Sequence, residues 1–181
     1  MREKKLTIRQ IAMIGVMTAV ICILAPFSIP IGVIPVTFTN LAVYISIYAL
    51  GKQKGTLSCL IYLLIGLVGI PVFSGFTGGP GKLFGPTGGY LIGFLFMAWI
   101  AGIFIDRFQE RMYLCFLGMV LGTAVCYLLG TSWLAFQASM TFTQALAAGV
   151  LPFIPGDLIK IILAMLIGPQ IRKALRKAGL Y

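Results

Sequence analysis

The chain of 181 residues contains no histidine and only four acidic residues. Histidine is the usual general base and the most common metal ligand in proteins, so its absence leaves no nucleophile paired with a base. Charged residues make up 10% of the sequence, whereas soluble domains average about a quarter. Because 60% of the residues are hydrophobic, the composition predicts an integral membrane protein and argues against an enzyme.

Two chemical motifs are also missing. The four cysteines lie in apolar stretches without a Cys-x-x-Cys spacing, so we interpret them as small buried hydrophobes that form neither disulfides nor a metal site. They are Cys22, Cys59, Cys115 and Cys126. A Walker phosphate-binding loop is absent too, because Leu83 follows Gly81-Lys82 and Phe76 stands in place of the first glycine. We therefore expect no cofactor and no ATP hydrolysis in this chain.

The charge that is present predicts the topology. Of the 14 basic residues, 12 fall in four short clusters. The clusters are Arg2, Glu3, Lys4, Lys5 and Arg9; Lys52 and Lys54; Asp106, Arg107, Glu110 and Arg111; and Arg172, Lys173, Arg176 and Lys177. Short loops rich in Lys and Arg stay in the cytoplasm, so both termini are predicted to be cytoplasmic. The net charge of +10 then reflects topology and attraction to anionic lipid, not nucleic-acid binding.

Four inside clusters and three outside loops predict six membrane spans, with the N- and C-termini inside. We expect the spans to be helices, so the chain is predicted to be one all-α domain over residues 1–181. The predicted spans are residues 7–24, 36–50, 56–70, 88–105, 112–129 and 155–172. The first is expected to remain as an uncleaved span. Between the third and fourth lies a Gly- and Pro-rich segment, residues 71–90, which we expect to enter the outer half of the bundle. Residues 131–149 are expected to form a short outer helix or cap.

Asp157 and Lys160 are the strongest indication of a site. Counted from Arg172, they lie roughly 22 and 18 Å along the last helix at about 1.5 Å per residue, within a hydrocarbon core about 30 Å thick. Charges at such depth usually face a cavity or a partner. A spacing of three places both on one helix face. The alternative is that Asp157 caps the helix and Lys160 reaches outward to pair with it.

The Gly-rich loop could offer backbone N–H groups and the hydroxyls of Thr87 and Tyr90 to a small solute, while Lys82 meets an anionic end. Alternatively, its glycines only allow close helix packing.

In the first helix, Ala12, Gly15 and Ala19 share a face of small residues. This face could receive a partner helix or pack against the protein's own helices.

The run Gly69-Ile-Pro-Val-Phe-Ser-Gly-Phe-Thr-Gly-Gly79, followed by Leu83-Phe-Gly-Pro-Thr-Gly-Gly-Tyr90, closely resembles the BioY family. These proteins are the biotin-capturing S components of energy-coupling factor (ECF) transporters. The resemblance extends from Pro35-Val-Thr37 to Pro155-Gly-Asp157-x-x-Lys160. It implies a six-helix membrane subunit that binds biotin and works with a transmembrane coupling protein and two cytoplasmic ATPases.

The resemblance also implies residue roles. The family's Asp-x-x-Lys motif falls on Asp157 and Lys160, and its Gly-Pro-Thr-Gly-Gly-Tyr motif on Gly85 to Tyr90, which includes Thr87 and Gly88. The helix-one face that S components use to dock would be Ala12, Gly15 and Ala19, although a strict Ala-x-x-x-Ala is absent. Family members often carry Gln where this chain has Thr39, next to Asn40.

Biotin's chemistry suits these residues. Its ureido ring presents N–H donors beside a carbonyl acceptor, which a carboxylate and an ammonium can satisfy together. Its apolar bicycle would suit Phe73, and its carboxylate would suit Lys82 or loop N–H groups. Three alternatives remain: an S component for thiamine or riboflavin, a stand-alone or proton-coupled carrier that uses Asp157 as a proton site, and a purely structural subunit without a ligand.

Overall fold

A computed structural model describes residues 6–31 and 34–179 of the chain. Arg2, Glu3, Lys4 and Lys5 of the first basic cluster lie outside the described residues. The elements are α1 (Ile8–Leu24), β1 (Ser28–Ile31), β2 (Ile34–Thr37), α2 (Thr39–Leu67), α3 (Pro80–Leu83), α4 (Gly88–Arg107), α5 (Met112–Gln137), α6 (Phe142–Gly149) and α7 (Ile154–Lys177).

The predicted helical membrane character is confirmed. Among the described residues, α4, α5 and α7 are long and apolar enough to cross a membrane, and α1 is an apolar helix of 17 residues. Thr7 begins α1 with a capping box, in which its Oγ1 accepts from the Gln10 N–H and the Gln10 side chain returns to the Thr7 N–H. The helix ends before Pro26, as the sequence predicts.

The second and third predicted helices are the two halves of α2. They meet at Gly51, where φ is 79° and ψ is 174°, a conformation that is essentially restricted to glycine. Residues 47 and 55 would lie about 12 Å apart along a straight helix. Instead, a Cβ on Gly55 would lie 2.9 Å from the Ile47 Cα, so the chain reverses at Gly51 and the halves pack side by side.

A link between three helices fixes this reversal. One carboxylate oxygen of Asp106, in the last turn of α4, accepts the backbone N–H of Lys52 at 2.7 Å. The other oxygen binds the Arg172 guanidinium of α7 at 2.7 Å. Lys52 also places its ammonium 4.4 Å from the centre of the Trp99 ring, a cation–π contact.

Several predicted boundaries are wrong. The second helix begins at Thr39, not at 36, because the chain before it forms an antiparallel hairpin that pairs Ser28 with Thr37 and Pro30 with Pro35. The third helix ends at Leu67, not at 70, and the glycine that follows, Gly69, has a φ of 108°.

The remaining differences concern the second half of the chain. α5 continues past 129 through Gly130 to Gln137; this glycine stays in the helix because the Tyr90 ring packs against it, where a Cβ would collide. The predicted outer cap at 131–149 therefore consists of the end of α5 and the short helix α6. α7 continues past Arg172 to Lys177.

The glycines of the bundle let neighbouring helices approach closely. α4 and α5 pack along a seam where Gly93 lies against Cys126 and Gly122 lies against the Met97 backbone. All four cysteines are free thiols; Cys22 is partly buried and the others are buried, in agreement with the prediction that they are packing residues.

Gly51→Ala should destabilise the protein by about 1–3 kcal/mol, because alanine must adopt a backbone conformation that L-residues avoid. We expect a lower midpoint of thermal unfolding for the purified protein in detergent. Gly81→Ala is the control, since an added Cβ there has no neighbour within 4 Å and its φ is not positive. Equal midpoints for both variants would contradict the role of Gly51.

Candidate functional site

An acid–base pair is buried near the start of α7. Asp157 and Lys160 are 5% and 7% exposed, and the Lys160 Nζ lies 2.8 Å from the Asp157 Oδ1. Asp157 does not cap the helix, because its N–H already bonds to the Phe153 carbonyl and its side chain turns to Lys160. Lys160 does not reach outward to solvent. The structure thus brings the two predicted site residues together inside the bundle.

Tyr127 of α5 completes the pair. Its hydroxyl donates to the second carboxylate oxygen of Asp157, Oδ2, at 2.6 Å. Each oxygen of the carboxylate therefore has a protein partner, and the carboxylate plane is fixed by two different helices. A carboxylate can accept about four hydrogen bonds, so lone pairs remain for a ligand donor.

Tyr127 is not among the site residues that the sequence predicts. One signal was present: Thr123 and Tyr127 stand one turn apart in the otherwise apolar stretch 114–130 of α5. Thr123 belongs to a second hydroxyl pair, with its Oγ1 2.6 Å from the hydroxyl of Tyr44. The Tyr44 hydroxyl also lies 2.9 Å from the carbonyl of Met119, so α2 and α5 are joined one turn from the acid–base pair.

The Gly-Pro-Thr-Gly-Gly-Tyr segment is tightly packed. The Tyr90 hydroxyl is buried and donates to the Gly149 carbonyl at 3.0 Å, which ties α4 to the end of α6. Thr87 donates to the Lys82 carbonyl at 3.4 Å. A side chain at Gly88 would collide with the Leu83 carbonyl, so only glycine fits there.

Three other predicted residues occupy different environments. Lys82 lies in α3 and is half-buried, and this burial lowers the pKa of its ammonium. Phe73 is fully buried and meets the Tyr62 ring edge to face, with centroids 5.5 Å apart. Asn40 is buried on α2, one turn before Tyr44.

Hydroxyl groups surround a small cavity of about 60 Å³ under the hairpin. Its lining residues come from the hairpin, both halves of α2, the Gly-rich loop and α4; they are Ile34, Pro35, Thr37, Thr39, Tyr62, Ser74, Thr87, Tyr90, Leu91 and Phe94. A second groove of about 200 Å³ lies between α5 and α7, and Tyr127 and Asp157 are among the residues that line it. Both are smaller than the roughly 300–1,000 Å³ of typical small-molecule pockets.

A wider cleft of about 540 Å³ lies at the other end of the bundle, lined by Lys52, Lys54, Asp106 and Arg107 among others. It is an open surface formed by two of the basic clusters and is remote from Asp157 along α7. Its size therefore does not make it the candidate site.

The small-residue face of α1 is exposed. Ala12, Gly15 and Ala19 all lie on the surface, and a Cβ added to Gly15 would have no neighbour within 4 Å among the residues that the structure describes. The opposite face packs against α2 through Ile14, Met17, Thr18 and Ile21. The alternative that the small residues pack against the protein's own helices is therefore wrong.

Removing one member of the buried pair should be costly. Lys160→Met leaves the Asp157 carboxylate without its counter-charge, and we expect a loss of about 3–5 kcal/mol in unfolding free energy. The double variant Asp157→Asn with Lys160→Met should recover most of that loss, because no buried charge remains. Thermal unfolding in detergent measures both, and equal losses in the single and double variants would contradict this account.

Comparison with known proteins gives consistent results. The BioY family matches residues 1–177. The chain is 39% identical over 165 residues to the biotin transporter BioY of Thermotoga maritima, covering 91% of this chain and 96% of that protein. It is 35% identical to the biotin transporter BioY2 of Lactococcus lactis subsp. cremoris, covering 94% of each.

A solved structure is similar as well. The crystal structure of the S-component for biotin from an ECF-type ABC transporter matches with a TM-score of 0.85 and 31% identity, covering 96% of this chain and 95% of that one.

Proposed function

Since the chain belongs to the BioY family, we propose that it captures biotin for uptake across the cell membrane as the substrate-binding subunit of an ATP-driven ECF transporter. The observation that supports this most directly is the buried Asp157–Lys160 pair. Charges within a membrane span are disfavoured, and they are retained where they serve a solute or a partner. The same pair offers one acceptor and one donor, which is what a ureido ring requires.

In this proposal, the chain is a multi-pass protein of the cell membrane that crosses it six times. The six spans are α1, the two halves of α2, α4, α5 and α7, with both termini in the cytoplasm. The Asp106 link then lies at the cytoplasmic end, and the hairpin and Gly-rich loop lie at the outer end. Positive-inside charge supports this orientation.

The ureido ring meets Asp157 and Lys160, with Tyr127 orienting the carboxylate. The bicycle lies among apolar groups that include Phe73, near Asn40, and the carboxylate lies toward Lys82 and the segment with Thr87, Gly88 and Tyr90. Because the cavities are small, entry of biotin requires the outer loops to move. Gly69, Gly75 and Gly79 of the Gly-rich loop, all with positive φ, allow such movement.

The chain is a binding subunit, not an enzyme, and requires no cofactor. The transmembrane coupling protein and the two ATPases supply the energy for release into the cytoplasm. The exposed face of Ala12, Gly15 and Ala19 is the docking surface for the coupling protein, since close helix contact in a membrane depends on small residues. The surrounding lipid covers the other apolar faces.

Asp157→Asn and Lys160→Ala should each weaken biotin binding by about 10- to 100-fold, the factor that corresponds to a lost hydrogen bond to a charged group. Isothermal titration of purified protein measures the affinity, with thiamine and riboflavin titrated into the parent chain in parallel. Undiminished biotin affinity in both variants would refute the assignment. Tighter binding of thiamine or riboflavin than of biotin would change the vitamin and leave the architecture in place.

Gly15→Trp should leave biotin affinity unchanged and abolish most ATP-driven uptake, because the bulky ring fills the space that a partner helix needs. Uptake of labelled biotin into proteoliposomes containing the coupling protein and ATPases measures this. Leu121→Trp, on an exposed position of α5, is the control and should transport normally. Uptake by the chain alone that a protonophore abolishes would favour a proton-coupled carrier instead.

A further inference from the structure

Two tyrosines of α2 have fully buried side chains but different surroundings. The hydroxyl of Tyr44 has hydrogen-bond partners in Thr123 and Met119. The hydroxyl of Tyr62 is equally buried and has no hydrogen bond of normal geometry among the described residues; Thr39 interacts with it only weakly. A buried polar group without a partner is rare in native proteins and calls for an explanation.

The Tyr62 hydroxyl faces a space shaped for a small polar group. Tyr62 lines the cavity of about 60 Å³ under the hairpin together with the hydroxyl residues Thr37, Thr39, Ser74 and Thr87. That volume is far below the roughly 300–1,000 Å³ of typical small-molecule pockets, so it suits a small polar group such as a carboxylate better than a fused ring system. The edge-to-face contact with Phe73 holds the phenol ring in place.

The chemistry of the lining indicates which group would bind. Three of the lining hydroxyls already donate within the protein, those of Thr37, Thr87 and Tyr90. The hydroxyls of Tyr62, Thr39 and Ser74 are left to donate to a ligand, and no charged side chain is among the described residues that line the cavity. A carboxylate is acceptor-only and needs several donors. In the proposed function the ureido ring of biotin is matched by Asp157 and Lys160, whereas the carboxylate is placed only toward Lys82 and the Gly-rich loop, without named hydrogen-bond donors at close range.

We propose that this cavity is the carboxylate subsite for biotin and that Tyr62 is a specificity-determining residue whose hydroxyl donates to a carboxylate oxygen. The proposal rests on the function proposed above and adds a second anchoring point. Tyr62 then carries an unfavourable buried hydroxyl in the free protein, and the ligand supplies its partner. The two ends of biotin are held by different chemistry: a charged pair on α7 and a set of neutral hydroxyls between the hairpin, α2 and α4.

Tyr62→Phe and Tyr44→Phe form a matched pair that tests the proposal, because each removes one oxygen from a fully buried tyrosine of α2. Purified full-length protein is titrated with biotin and with biotinol, in which a hydroxymethyl group replaces the carboxylate. Tyr62→Phe should weaken biotin binding by about tenfold, and biotinol binding by much less. Without ligand, its thermal midpoint should equal or exceed that of the parent.

Tyr44→Phe should behave in the opposite way. Its thermal midpoint should fall, because the hydroxyl it loses bonds to Thr123 and Met119, and its affinity for biotin should remain within about twofold of the parent value.

Two results would overturn the proposal while leaving biotin transport intact. One is a Tyr62→Phe variant that binds biotin as tightly as the parent. The other is a Tyr62→Phe variant whose ligand-free midpoint falls as far as that of Tyr44→Phe, which would mean that the hydroxyl has an internal partner. A parent protein that binds no biotin at all would refute the proposed function itself.

Discussion

The need to neutralise a carboxylate inside an apolar bundle governs the arrangement of the half that contains the start of α7. Asp157 cannot remain charged there without counter-charge and hydrogen bonds, and it receives both from two helices: Lys160 one turn further along α7, and Tyr127 on α5. The hydroxyl pair of Tyr44 and Thr123 then joins α5 to α2 one turn away. A polar layer therefore crosses the bundle, and it fixes how α2, α5 and α7 face one another at that depth.

Glycines make room for other aromatic rings in the interior of the bundle. Gly130 lies against the ring of Tyr90, Gly66 against that of Phe73, and Gly168 against that of Tyr48. Any larger residue would displace the ring. Glycine is therefore abundant for two reasons. In the reversal and the loop it adopts positive φ angles, and on the helix faces it leaves space for tyrosine and phenylalanine rings.

The sequence predicts the helices and the acid–base pair well, because both depend on local rules. Clusters of basic residues separate the helical segments, and the spacing of Asp157 and Lys160 puts them on one face of α7 whatever the rest of the chain does. The sequence does not predict the roles of Tyr127 and Tyr62. Whether a phenol hydroxyl has a hydrogen-bond partner is decided only when helices from distant parts of the chain pack together. The hairpin was missed because two short strands with prolines resemble an irregular loop. The end of α5 was misplaced because Gly130 disfavours a helix locally, whereas packing against the Tyr90 ring keeps it helical.

The link at Asp106 has a mechanical consequence. It joins the reversal of α2, the end of α4 and the inner part of α7 through a single carboxylate, so these helix ends move as one body. The opposite end is closed by a hairpin and a glycine-rich loop that no comparable ion pair restrains among the described residues. Stiffness is therefore distributed unevenly along the bundle. Under the proposed function, a solute would enter by displacement of the loops at one end, and its exit at the other would require work done on the whole subunit by its partners.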